Sequence, residues 1–352
     1  MDKQTVIILC GGESGEHEVS LQSANSIIQY IPRDRYQVIP VGISKKGDWL
    51  TGDPLFKNED DPSNISLADG LKSVRLEKGM LDGRKIDAVF PVIHGTYGED
   101  GCLQGLLQMH HVPFVGAGVL GSAIGMDKDV MKRLLIPIGI NCARHRVIHH
   151  WQKEWPSYEE VSRELGKILF IKPCNLGSSI GISKCRNERE YEKAVGYAFE
   201  FDRKIIVEEF IKGREIEISV LGNENVTVSV PGEIIPGEEF YSYDSKYIDS
   251  DKTQLKIPAE LEPSVEENLK EIARRAFIAL ELEGLARIDF FVKSNGEVWL
   301  NEANTLPGFT KISMYPKLWE YSGLAYSELI HRLIQLAIDR FKIEEKLKRN
   351  KV

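Results

Sequence analysis

Two strand-like runs near the C-terminal end, ARIDFFVK (286–293) and EVWLNEAN (297–304), carry charges that can do chemistry. They are joined by Ser294-Asn295-Gly296-Glu297. Asn-Gly between alternating apolar runs predicts a hairpin with a two-residue type I′ turn, and such a loop fixes the register. With Ser294 facing Glu297, Asp289 lies opposite Glu302 and Arg287 opposite Asn304. Strand periodicity puts these four side chains on one face. Facing side chains sit ~5 Å apart at Cβ, where two carboxylates repel by about 3 kcal/mol in a medium of intermediate dielectric. A fold keeps such a pair only with a shared proton or a cation between the two. Asn304 adds a third oxygen, and an all-oxygen set suits Mg²⁺ or Mn²⁺, with water and nucleotide phosphates completing the shell. The competing reading is a salt-bridge cluster of Arg287, Asp289 and Glu302 on an exposed sheet face.

A metal of this kind calls for a phosphate site. No Walker A motif and no well-placed GxGxxG is present, which sets aside a P-loop and a simple dinucleotide fold. Lys172 ends a strand, and Gly177-Ser178-Ser179 follows in a loop whose backbone N–H groups and hydroxyls can gather on an anion. Lys128 and Lys172 can add positive charge; a flexible hairpin tip is the alternative. Glu208-Glu209 can accept from an adenine amino group or simply face water. The pairs His110-His111 and His149-His150 resemble metal ligands, but adjacent residues point apart, so they read as surface histidines.

The elements that must position these residues begin with an α/β pattern. TVIIL (5–9), YQVIPVGI (36–43) and IDAVFPVIH (86–94) are apolar strands, with a helix from near Ser20 between the first two. This is the signature of a parallel sheet. Ligand-holding loops belong at the carboxyl ends of such strands, where GGESGEHE (11–18) and HGTYGEDG (94–101) stand. Further on, KILFIKP, RKIIVEEFI and REIEISVLG predict a small domain of largely antiparallel strands. The stretch 236–256 has no clean period and reads as a functional lid. A helix follows, with Ser264 and Glu267 as its capping box and Val265, Leu269, Ile272, Ala273, Ala276 and Leu280 as its buried stripe.

Composition bounds the rest. The 352 residues suit two or three domains. A formal net charge of −8 argues against a general nucleic-acid binder. Five scattered cysteines without a CxxC argue against a disulfide framework or zinc ribbon. VIILC (6–10) is too short for a signal segment and no apolar stretch spans a bilayer, so a cytoplasmic location with no membrane partner is expected.

Eight pieces in order resemble the D-alanine–D-alanine ligase family of the ATP-grasp fold. They are GGESGEHEVSLQSA, HGTYGEDGCLQG, SAIGMDK, IKPCNLGSSIGISK, VEEFIKGREIEISVLG, FYSYDSKY, ARIDFFV and NEANTLPGFTKISMYPKLWEYSG, from about residue 4 to 340. Cys174 and Ser242 depart mildly from the family pattern. The resemblance implies an α/β and α+β chain: an N-terminal Rossmann-like domain (1–126), a central ATP-grasp subdomain (127–220) and a C-terminal one (221–352). It also implies a reaction. ATP phosphorylates the carboxylate of one D-alanine, and the amine of a second attacks the acyl phosphate, giving a dipeptide for peptidoglycan.

Carried over by motif position, Asp289, Glu302 and Asn304 would hold two Mg²⁺, and Lys128 and Lys172 would contact phosphates. Ser178 and Ser179 would cover the phosphates. Glu208, Glu209, Ile211 and Glu215 would line the nucleotide pocket, with Phe210 against the adenine. Glu16 would take the first D-alanine's ammonium, beside Val19 and His94. Arg287 and the Gly308 N–H would form an oxyanion hole. Lys246, Tyr247, Ser313 and Met314 would hold the second D-alanine, and Glu16, Ser178 and Tyr247 would link by hydrogen bonds to close the lid. Tyr247 resembles the D-alanine acceptor type; D-serine or D-lactate acceptors are the alternative, and a nucleotide-binding regulator without turnover is a third reading. The resemblance further implies a homodimer through the N-terminal region.

Overall fold

The computed structural model describes residues 3–61, 64–235 and 254–348. Strand β1 (Gln4–Gly11) is apolar on both sides, and both sides are buried. Val6, Ile8 and Cys10 face one core; Ile7 and Leu9 face another. Period-2 alternation would leave one side wet, so this continuous run marks a central strand covered on both faces. Helix α1 (His17–Tyr30) starts earlier than the sequence indicates, because residues 13–16 form the whole of the turn. Strands β2 (Tyr36–Ile43) and β3 (Ala88–Pro91) flank β1 in parallel. Two short antiparallel strands, Trp49–Thr51 and Lys72–Ser73, extend the sheet beyond β2.

Helices α2 (Cys102–Met109), α3 (Val119–Met126) and α4 (Lys128–Leu135) lead into a four-stranded antiparallel sheet. Its strands are β4 (His145–His149), β5 (Leu169–Pro173), β6 (Ser183–Cys185) and β7 (Lys204–Glu209), in the order β4-β7-β5-β6. Helices α5 (Tyr158–Leu165) and α6 (Glu188–Ala198) cover it, sharing one core of Val161, Leu165, Tyr191, Val195, Ile171 and Val207. Ser157 caps α5 in a complete capping box with Glu160. Ser157→Ala should lower stability by about 1 kcal/mol, read as a shift in the urea midpoint; an unchanged midpoint would show that the cap contributes nothing here.

The next strand, β8 (Arg214–Gly222), joins a different sheet. That sheet runs β10-β9-β8-β11-β12, with β9 (Gly232–Ile235), β10 (Gln254–Lys256), β11 (Gly284–Val292) and β12 (Val298–Asn304). The sheets therefore part at the Lys212-Gly213 turn, and residue 220 lies inside β8. Helix α7 (Pro263–Ala279) buries Leu269, Ala273, Ala276 and Phe277 against Ile216, Ile218, Ile288 and Phe290. Ser264 does not cap it: Glu262 holds the N-cap position and Pro263 the first turn, where a missing N–H loses nothing. Helices α8 (Met314–Tyr321) and α9 (Tyr326–Glu344) return to the first sheet. Tyr315, Trp319, Leu329, Leu333 and Ile334 share its core with Val6, Ile8 and Phe90. No helix among the described residues is long and apolar enough to cross a membrane.

Candidate active site

The hairpin β11–β12 pairs Asp289 with Glu302 and Arg287 with Asn304, as its sequence predicts. The turn is not the expected one. Val292 faces Val298, and the Lys293 N–H donates to the Glu297 carbonyl, which leaves a three-residue loop with Gly296 at φ +83°. This is the geometry of a type I turn closed by a left-handed residue, a backbone conformation glycine adopts without steric cost. The register beside the turn is thus one residue away from the expectation. A bulge between Asp289 and Phe290 absorbs the difference: Phe290 faces Leu300 while Asp289 faces Glu302, so Asn301 is the extra residue. Without the bulge, Glu302 would share the face of Leu300 and point into the core beneath α7. A one-residue slip flips every later side chain, and the bulge supplies that slip where it brings Glu302 to the cleft.

Two rows cross three strands here. Glu217 on β8 faces Asp289, which faces Glu302; Ser219 faces Arg287, which faces Asn304. Sequence reading passed over Glu217, although its alternation with buried Ile216 and Ile218 places it on this face. Arg287 lies among the acids. Its Nε and Nη2 donate to the two oxygens of Asp289, each at 2.8 Å, and Nε stands 3.0 Å from Glu217 Oε2. Burial opposes its charge, but Asp289 and Glu217 hold its pKa well above the usual value. Asn304 Oδ1 accepts from the Leu306 N–H at 3.3 Å.

Among the described residues no group of three His, Cys, Asp or Glu side chains is arranged for a metal. Two carboxylates and an amide oxygen nonetheless fit a hard divalent cation, since each Asp289 oxygen keeps a lone pair beyond its bond to Arg287.

Glu217, Arg287, Glu302 and Asn304 line a cleft of about 450 Å³, together with Glu16, Val19, His94, Glu99, Lys128, Ser178, Gly308, Ser313 and Met314. Buried Glu16 accepts a hydrogen bond from the Ser178 hydroxyl. Ser178 and Ser179 both adopt left-handed backbone, at φ +55° and +59°, as tight anion-facing loops do. Lys128 opens α4; its Nζ donates to the Leu176 carbonyl at 2.7 Å and lies 4.0 Å from Glu302. The Gly308 N–H has no acceptor among the described residues. Next to it, Phe309 is sunk in the core with its ring 5.3 Å from that of Phe90, which fixes the loop.

His94 is buried, with Nδ1 3.0 Å from the Leu306 carbonyl and Nε2 3.2 Å from Ser23 Oγ. A carbonyl only accepts, so Nδ1 carries the proton and Nε2 accepts from Ser23. Burial lowers the His94 pKa, against the pull of Glu16. A folded pKa below the unfolded value means stability that is present above the unfolded value and lost as pH falls toward the folded one. His94→Gln should therefore lose less stability than the wild type between about pH 7.5 and about pH 5. Parallel urea midpoints across that range would rule this out. Glu99, which sequence reading also left aside, accepts from the Gly95 N–H at 2.7 Å; burial first and Glu16 second push its carboxyl well above the usual range.

On the nucleotide side, Lys172 pairs with Glu208 at 2.7 Å. Burial works against the Lys172 charge, but Glu208 holds its pKa above the usual value. Ile211 is buried, Glu215 is half-buried on β8, and Phe210 is 38% exposed with its ring 5.9 Å from that of Phe170. Glu209 points away: both its oxygens hold Arg144 at the surface, at 2.6 to 2.9 Å. Its side chain is therefore occupied elsewhere. Lys246 and Tyr247 lie outside the described residues.

Residues 5–117 match the family model described as D-ala D-ala ligase N-terminus, and residues 134–335 the one described as D-ala D-ala ligase C-terminus. The chain belongs to the D-alanine–D-alanine ligase family. A family relative from Oceanobacillus iheyensis, named D-alanine--D-alanine ligase, is 49% identical over 98% of both chains. Among solved structures, the D-alanine-D-alanine ligase of Coxiella burnetii superposes with a TM-score of 0.84 at 36% identity over 98% of each chain. The VanG D-Ala:D-Ser ligase of Enterococcus faecalis also reaches 0.84, at 33% identity, over 96% of this chain and 100% of that one. The ligase family thus includes at least two acceptors on one fold.

Proposed function

We propose that the chain is an ATP-dependent D-alanine–D-alanine ligase of the cytoplasm, working on two D-alanine molecules to supply a dipeptide for peptidoglycan. One observation carries the reading: the row Glu217–Asp289–Glu302 with Arg287 beside it, facing the Glu16–Ser178 pair across a single cleft. A carboxylate is a poor acyl donor, and phosphoryl transfer from ATP gives it a leaving group. Asp289, Glu302 and Asn304 would hold Mg²⁺, which when bound offsets phosphate charge. Lys128 and Lys172 add cations beside the phosphates, and Ser178 and Ser179 cover them. Glu208, Ile211 and Glu215 line the nucleotide pocket, with Phe210 against the base.

Glu16, next to Val19 and His94, receives the ammonium of the first D-alanine. When the second amine attacks the acyl carbon, charge gathers on the tetrahedral oxygen, and Arg287 with the Gly308 N–H stabilises it. Ser313 and Met314, with Lys246 and Tyr247, hold the acceptor. Closure over the cleft keeps water from the acyl phosphate. D-Serine is the second reading, because an added hydroxyl is rejected poorly and a relative of near-equal structural likeness is described as a D-Ala:D-Ser ligase. Phosphate release from ATP, measured with D-alanine as donor and D-alanine, D-serine or D-lactate as acceptor, tests both. No release that depends on D-alanine sinks the ligase reading, and faster turnover with D-serine favours the second.

A further inference from the structure

Lys132 is fully buried, which is rare for lysine because desolvating an ammonium is costly. It lies one helical turn beyond Lys128 on α4, on the same side of the helix. Its Nζ stands 2.9 Å from Glu208 Oε1, while Lys172 Nζ stands 2.7 Å from Glu208 Oε2. One carboxylate thus takes an ammonium on each oxygen. Lys132 is closed off from the cleft, and among the described residues its Nζ has the ion pair with Glu208 but no well-formed hydrogen bond. Glu208 would have a partner without it, and an apolar residue would fill the site at lower cost.

We propose that Lys132 is a positioning residue for the nucleotide phosphates: it neutralises Glu208 from behind, so that Lys172 presents an uncancelled positive charge to the phosphate. This rests on the reading that Lys172 contacts phosphate. With Lys172 and Glu208 alone, one cation and one anion cancel. With Lys132, two cations and one anion leave a single positive charge, held in an interior where charge is weakly screened. A strong carboxylate fixes the direction of the Lys172 ammonium, and Lys132 removes the electrostatic penalty of doing so.

The test compares binding of ADP with binding of adenosine by calorimetry in the presence of Mg²⁺, since adenosine lacks the phosphates. In Lys132→Met, ADP should bind at least about tenfold more weakly while adenosine stays within about twofold. Equal losses of both would mean a merely structural role and would overturn the proposal, as would no loss of either. A second pair of variants does not depend on that protein folding. Glu208→Gln leaves two cations and should tighten ADP relative to adenosine. Glu208→Gln with Lys132→Met leaves one and should return the ratio to the wild-type value. Identical ratios in these two variants would overturn the proposal. Binding needs no turnover, so failure of the D-alanine-dependent reaction would leave this readout intact.

Discussion

Arg287→Met should slow turnover by about 10²- to 10³-fold while the KM for ATP changes little. The guanidinium serves two tasks. It is the cation that the acids of the sheet face require, bonded to both oxygens of Asp289 and 3.0 Å from Glu217. It is also a rigid fork with donors to spare for an oxygen in the cleft. Losing a contact made only in the transition state lowers kcat without weakening substrate binding. Methionine preserves the apolar stem, so packing is disturbed little. A kcat within about fivefold of the wild type would remove Arg287 from the oxyanion site. A rise in KM for ATP at unchanged kcat would reassign it to holding the nucleotide.

The second large effect concerns the bulge. Glu302→Gln should raise the Mg²⁺ concentration needed for half-maximal activity and lower kcat/KM for ATP by on the order of 10²-fold. Asn301→Ala keeps the residue count and therefore the register, so it should stay close to wild type. Deleting Asn301 removes the extra residue but leaves Leu300 facing Phe290 and Glu302 facing Asp289, so that variant should keep a Mg²⁺ dependence much closer to wild type than Glu302→Gln does. If the Glu302→Gln protein showed the same Mg²⁺ dependence as the parent, the metal reading of the Asp289–Glu302 pair would fail, and the salt-bridge cluster would remain.

The pairing of Asp289 with Glu302 was legible because both strands alternate cleanly and Asn-Gly announces a hairpin. The route to it was not. The expectation of a two-residue turn omitted one loop residue, and nothing in a local pattern marks Asn301 as a bulge. The two departures cancel at the site, so a sound conclusion followed from an inexact turn. Glu217 was missed because β8 was grouped with the central strands; only its pairing with β11 shows which acids it meets. Lys132 and Glu208 are 76 positions apart in sequence, which no local period can connect. Glu209 is the opposite case: the Glu208-Glu209 pair offered two acceptors alike, and a single arginine, Arg144, engages both oxygens of one of them. The capping box at Ser264 yielded to Pro263, whose fixed backbone angle begins α7 two residues earlier.

The return of α8 and α9 to the first sheet has a consequence for how the chain is born. Val6, Ile8 and Phe90 are made early, yet the side chains that cover them, Leu329, Leu333 and Ile334, come more than 230 residues later. At ordinary synthesis rates that interval is roughly 10 to 50 s. Throughout it, the nascent first sheet has only α1, through Leu21, Ala24 and Ile27, over part of that oily face. The loop bearing Gly308 is set by the same late event, since Phe309 docks into that face. The last tenth of the polypeptide thus decides when the first tenth can finish folding, and a ribosome stalled near residue 300 would release a chain prone to aggregate rather than a smaller working protein.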